Sequence, residues 1–154
     1  MAKILSMPKG ASKSKIYENG AFGPGMENPG AYVLSPGTQP LSVGALIQAD
    51  RFVLDSNNAI NTAAIIGTAS QFDFTPYSNL YIRCKGLTDY NNIYGQIALS
   101  SSKTNVQGSL IASANITSNS EHTIIIDVSS VTNAYISFNT VSIRTWECYE
   151  IWAE

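Results

Sequence analysis

From residue 70 onward the chain is a succession of short apolar runs, each broken by Ser, Asn, Gly or Asp. None reaches the length of about a dozen residues that a helical crossover between parallel strands would need. The run NLYIRCKG at 79–86 sets the pattern. Leu80, Ile82 and Cys84 fall on one face of an extended chain, and Tyr81, Arg83 and Lys85 on the other. That period marks a strand with one buried and one wet face. QFDFTPY alternates Phe72 with Phe74 and stops at Pro76, and IYGQIALS repeats the alternation through Ile93, Gly95, Ile97 and Leu99. SLIASANI is a weaker strand, and HTIIIDV is apolar enough to suggest a central one.

The final segment, VSIRTWECYEIWAE, breaks strict alternation: Trp146 and Cys148 share one parity, Tyr149 and Ile151 the other. A β-bulge reconciles two such sets, as does burial of both faces. Either way the segment is expected to be a strand locked into a sheet. Losing its last residues should cost the fold, at about 3–5 kcal/mol for a tryptophan alone. Earlier, ALIQADRFVL and NTAAIIG have an ambiguous period, and either could hold a helical turn. Seven to nine short strands with loops between them read as an all-β, antiparallel two-sheet β-sandwich, jelly-roll-like, over residues 45–154.

Residues 1–44 have a different texture. They hold seven of the eleven glycines and five of the six prolines, so an extended, irregular, turn-rich arm is expected. Ile4, Leu5, Met7, Ile16, Tyr17, Phe22 and Tyr32 punctuate it as candidate anchors. They fit an arm lying on a surface, either of its own body or of a partner, and the alternative is a plain flexible tail. Charge divides at a similar point. Residues 1–17 carry Lys3, Lys9, Lys13 and Lys15 and no acid, and the remainder carries five bases against eleven acids. The body therefore lacks the dense basic stripe that tracks nucleic acid. No apolar run approaches the roughly 20 residues of a membrane span, and the MAKILSM start has no long signal-peptide core.

The sequence offers little catalytic chemistry. His122, the one histidine, stands beside Glu121 at the start of a strand, and Asp127 lies five positions on, pointing to the opposite face. It reads as a surface residue rather than a general base. His and Cys never cluster, so no metal site is expected, and DSNN (55–58) and DYNN (89–92) read as Asx turns. Asp127, Glu147, Glu150 and Glu154 are carboxylates of the kind any β-protein carries, and no Gly-rich phosphate loop is present. The expectation is a non-enzyme with no catalytic residues and no cofactor.

Binding is the stronger prospect. Tyr81 on its wet strand face, and Asp89, Tyr90, Asn91, Asn92 and Tyr94 in the following loop, combine aromatic rings with short amides and an acid. Such a set serves a glycan site or a protein interface, and loop tyrosines also tuck over a sandwich edge for packing alone. Ser, Thr and Asn supply 43 residues while charged side chains make up only 13%, a surface that loses little side-chain entropy in contacts. Asn115-Ile116-Thr117 matches a glycosylation sequon, read as coincidence without a secretory leader. Cys84 and Cys148 read as buried thiols, with a disulfide open to them only if their strands are neighbours.

Three phrases together carry a resemblance. FDFTPYSNLYIRCKG, IIIDVSSVTNAYISF and the closing YEIWAE resemble, in order and spacing, the C-terminal β-sandwich domains of phage and prophage structural proteins of Firmicutes-type gut bacteria. The matching positions are Asp73, Thr75, Tyr77 and Leu80, then Ile126, Asp127, Val131 and Tyr135, then Glu150, Ile151 and Trp152; Asn133 stands where glycine is usual. The resemblance covers approximately residues 70–154 and implies a virion component made in the bacterial cytoplasm: a fibre, head decoration or tail-associated protein. It further implies a homo-oligomer, trimeric by analogy, whose arm contacts the particle or other virion proteins. The alternative reading is a carbohydrate-binding module that recognises a cell-surface glycan.

Overall fold

The computed structural model describes residues 14–18, 21–22, 45–47, 51–55, 65–68, 71–87, 93–102, 106–140 and 144–154. Within them the chain forms twelve strands. They are β1 (Ser14–Glu18), β2 (Ala21–Phe22), β3 (Ala45–Ile47), β4 (Phe52–Asp55), β5 (Ile65–Gly67), β6 (Phe72–Asp73), β7 (Asn79–Gly86), β8 (Gly95–Ser100), β9 (Leu110–Ile116), β10 (His122–Asp127), β11 (Asn133–Thr140) and β12 (Thr145–Ala153). Among the described residues a 3-10 turn, Gln107–Ser109, precedes β9. The ambiguous segments after residue 45 contribute strands β3, β4 and β5 and no helix among the described residues.

All pairings are antiparallel, and the strands divide into a seven-stranded and a five-stranded sheet. This is the two-sheet β-sandwich that the alternation requires. In the smaller sheet β11 runs between β8 on one side and β5 with β6 on the other, and β9 lies beyond β8. In the larger sheet β12 takes β7 along one edge. Its other edge is shared, with β4 against Thr145–Cys148 and β1 against Glu150–Ala153. The register of β12 on β7 shifts between Cys148 and Glu150, so Tyr149 is the extra residue of a β-bulge. The bulge returns Ile151 to the buried face with Trp146 and Cys148, and it turns Trp152 outward. It sits where the second edge of β12 changes partner.

β1 shows that Ser14–Glu18, within the Gly/Pro-rich segment, lies on the chain's own sheet. Ile16 is fully buried in the core, and Tyr17 pairs in register with Ile151 and with Phe22 of β2. Ile4, Leu5, Met7 and Tyr32 lie outside the described residues. β10, which its apolar run suggested as a central strand, is an edge strand of the larger sheet among the described residues. Ile126 is buried, but Ile125 stands 58% exposed on the outer face. The run is apolar because both faces carry isoleucine, one set packing inward and one beside an exposed ring.

Between the sheets Trp146, Phe52 and Phe138 form an edge-to-face cluster, with Phe52 centred 5.1 Å from Phe138 and 5.8 Å from Trp146. The indole Nε1 of Trp146 donates to the Asn139 carbonyl at 2.9 Å, which satisfies its polar edge inside the core. Gly95 permits that approach, because a Cβ there would lie 2.2 Å from the Asn139 oxygen and 2.4 Å from Nε1. Loops are closed by Asx turns. The Asp73 carboxylate accepts from the Thr75 amide at 2.9 Å, and Asp127 accepts from the Ser129 amide at 2.8 Å and hydroxyl at 2.6 Å.

Candidate functional site

The outer face of the larger sheet carries a stacked, partly exposed aromatic pair. Strand alternation places Tyr81 outward on β7, and the bulge places Trp152 outward on β12, directly opposite it in register. The two rings stack nearly parallel, 5° between planes and 5.1 Å between centroids. Ile125 of β10 is opposite Tyr81 on the other side. An apolar row of Ile125, Tyr81 and Trp152 therefore crosses three strands, with both rings half-buried and half open to solvent.

One strand position along from this row the face becomes polar. Arg83 is held by two carboxylates, with Nη1 at 2.9 Å from Glu121 Oε2 and Nε at 3.6 Å from Glu150 Oε1. Arg51 contacts Glu147 at 3.1 Å. The bulged Tyr149 lies among them: the guanidinium carbons of Arg51 and Arg83 are over its ring at 4.9 Å and 5.1 Å from the centroid. Its hydroxyl donates to the same Glu147 oxygen. Burial, and then the hydrogen bond to and negative charge of Glu147, hold the Tyr149 phenol well above its ordinary pKa. Glu147 is buried for this reason, covered by Arg51 and Tyr149 although its strand position faces outward. The cluster is rigidly cross-linked, and it offers fixed donors and acceptors beside an apolar row.

The sequence picked out Tyr81 correctly as an outward ring, but its loop partners fare differently. Asp89, Tyr90, Asn91 and Asn92 lie outside the described residues. Tyr94 is fully buried, and its ring would meet a Cβ at Gly86 within 2.6 Å, so it is a core residue and offers no contact surface. His122, expected as a surface residue, is half-buried; its Nδ1 is 2.8 Å from the Ser120 carbonyl and its Nε2 is 3.8 Å from Cys84 Sγ. Trp152, Ile125 and Tyr149 were missed as site residues. The bulge that the broken alternation suggested would have turned Trp152 outward, and that was the available signal. Among the described residues no group of three or more His, Cys, Asp or Glu side chains could hold a metal ion, and no helix is long and apolar enough to cross a membrane.

No family model and no curated protein matches the sequence. Solved structures do match the fold. A family 29 carbohydrate-binding module, studied as a mutant for its mechanism of ligand recognition, superposes with a TM-score of 0.57 at 13% identity. The match covers 94% of this chain and 92% of that one. A second mutant, complexed with cellulohexaose, matches with a TM-score of 0.57 at 11% identity, over 92% of this chain and 89% of that one. A third, complexed with mannohexaose, gives 0.55 at 10% identity over 92% and 90%.

These likenesses overturn the virion reading. The phrases behind it are structural: Asx turns at Asp73 and Asp127 with the strands that follow, and the bulged end of β12. The implied virion partners, trimeric fibre assembly and location in a particle go with that reading. What the fold resembles is a carbohydrate-binding module.

Proposed function

We propose that this chain is a non-catalytic carbohydrate-binding module, and that the outer face of the larger sheet, around Tyr81 and Trp152, takes the sugar. The observation that carries the reading is the stacked, solvent-open Tyr81–Trp152 pair beside the Arg83–Glu150–Glu121 cluster. The apolar C–H face of a pyranose packs against an aromatic ring. Its hydroxyls, arranged around the rim, need donors and acceptors fixed a few ångströms away. Apolar row and polar cluster occupy adjacent positions on the same strands, which suits that division of the ligand. The fold likeness to modules complexed with cellulohexaose and mannohexaose supports linear hexose oligosaccharides as the ligand class. In this reading residues 45–154 form the binding body and the first 44 an accompanying arm that lends β1 to the sheet.

Calorimetric titration with cellohexaose and mannohexaose tests the proposal. The parent protein should bind at least one of them, and Trp152→Ala should weaken binding at least tenfold, about 1.4 kcal/mol. Absence of binding to both sugars, or affinity unchanged in Trp152→Ala and Tyr81→Ala, refutes it.

A further inference from the structure

Cys84 and Cys148 are directly opposite each other in the β7–β12 ladder. Both point into the core, both are fully buried, and both are free thiols. We propose that they are the two halves of an intrachain cross-strand disulfide, closed when the chain folds in the presence of a small-molecule disulfide. This inference is independent of the sugar reading.

Directly opposed residues of an antiparallel pair have Cα atoms about 4.5–5.5 Å apart, and disulfides span about 4.4–6.8 Å. The Cα spacing therefore suits the bond, and the Cβ atoms, about 4.5–5.5 Å apart in such pairs, need a small approach to reach the roughly 3.5–4.5 Å of a disulfide. The bulge at Tyr149 begins immediately after Cys148 and gives the backbone local freedom to adjust the sulfur positions. His122 supplies the proton chemistry. Its Nδ1 lies 2.8 Å from the Ser120 carbonyl, which can only accept, so Nδ1 carries the hydrogen. Nε2 then presents its lone pair to Cys84 Sγ at 3.8 Å and accepts from the thiol. The thiolate is the reactive form, and an acceptor beside Cys84 favours it while the strands are still open to the small-molecule disulfide.

The reaction balances with a disulfide RSSR as oxidant. Cys84 gives its proton to His122, attacks one sulfur of RSSR and releases RS⁻, forming Cys84–S–S–R. Cys148 loses its proton and attacks the Cys84 sulfur, which forms the Cys84–Cys148 bond and expels the second RS⁻. The two released thiolates take up the two protons, leaving two RSH. Because both sulfurs are buried once the sandwich closes, exchange belongs to folding, after β10 has paired with β7 and brought His122 to Cys84 and before the smaller sheet closes over both sulfurs.

The test is to refold the full chain in a reduced/oxidised glutathione buffer and, separately, in excess reductant, then alkylate it under denaturing conditions. The expected product from glutathione has lost two hydrogens in mass, takes no alkylating label, and yields a proteolytic fragment joining Cys84 to Cys148. Its denaturant midpoint should lie above that of the reduced chain and return to it when reductant is added. The difference between buffers should vanish in Cys148→Ser. His122→Asn should slow closure several-fold and give the same product; an unchanged rate overturns the acceptor role of His122. Folded protein with two labelled thiols, only glutathione adducts, or only disulfide-linked dimers overturns the proposal.

Discussion

Tyr81 and Trp152 stack at 5.1 Å across the β7–β12 ladder, and the stack exists because an extra residue at Tyr149 reverses the parity of β12 just before its end. Without the bulge Trp152 would point into the core and Ile151 would take its place on the surface. An aromatic pair of this kind couples by about 0.5–1.5 kcal/mol beyond the area it covers. A double-mutant cycle of Tyr81→Ala and Trp152→Ala, read from urea unfolding, should return a coupling in that range. Additivity within error would show that the rings do not support each other in solution.

Gly95 is expected to be intolerant of any side chain. A Cβ would press on both partners of the hydrogen bond from Trp146 Nε1 to the Asn139 carbonyl, at 2.4 Å and 2.2 Å. One is backbone and the other the rigid edge of a buried ring, so neither yields cheaply. Overpacking together with the lost hydrogen bond should make Gly95→Ala destabilising by about 2–4 kcal/mol, measured as a fall in urea midpoint. A change inside about 0.5 kcal/mol, the usual range for innocuous substitutions, would contradict this packing.

Alkaline stability should depend on Tyr149. Its folded-state pKa lies above the ordinary phenol value of about 10, raised by burial and by Glu147. Its contribution to stability is therefore complete below about pH 10 and declines as the pH rises from there toward the folded value. In the reduced chain, buried Cys84 and Cys148, also raised chiefly by burial, push in the same direction from a lower starting pH, near the ordinary thiol value of 9.0. Tyr149→Phe removes the tyrosine part alone. Stability measured between about pH 10 and 11 should fall less steeply in the variant, and equal slopes would contradict the environment described for the phenol.

The two-sheet sandwich was legible because alternation in segments such as NLYIRCKG assigns each residue a face. Neighbours were not legible, since period fixes orientation and says nothing about which strand lies alongside. So β10 looked central and is an edge, and SKIYE looked like part of an arm and is a strand against β12. The same limit applied to the site. Tyr81 could be placed on a wet face, but its partner Trp152 depended on a one-residue shift in a strand that begins 66 positions downstream of β7's start. Tyr94 misled because an aromatic loop residue and a core ring beside a glycine look alike in sequence. The virion resemblance rested on turn, strand and strand-end residues of the framework, which are silent on what the faces of a sandwich bind.

The place of β12 also governs how the molecule can be made. It alone connects three two-stranded pieces of the larger sheet: β7 with β10, β4 with β3, and β1 with β2. All three are synthesised before it. Until β12 leaves the ribosome these fragments have no common partner, and Phe52, Leu54, Leu80 and Ile82 lack their neighbours Cys148, Trp146, Ala153 and Ile151. Closure must then join Ser14 to Ala153, pairing nearly opposite ends of the described chain in one step. Folding should accordingly be slow, late and all-or-none, with a nascent chain that depends on chaperones until its final strand arrives.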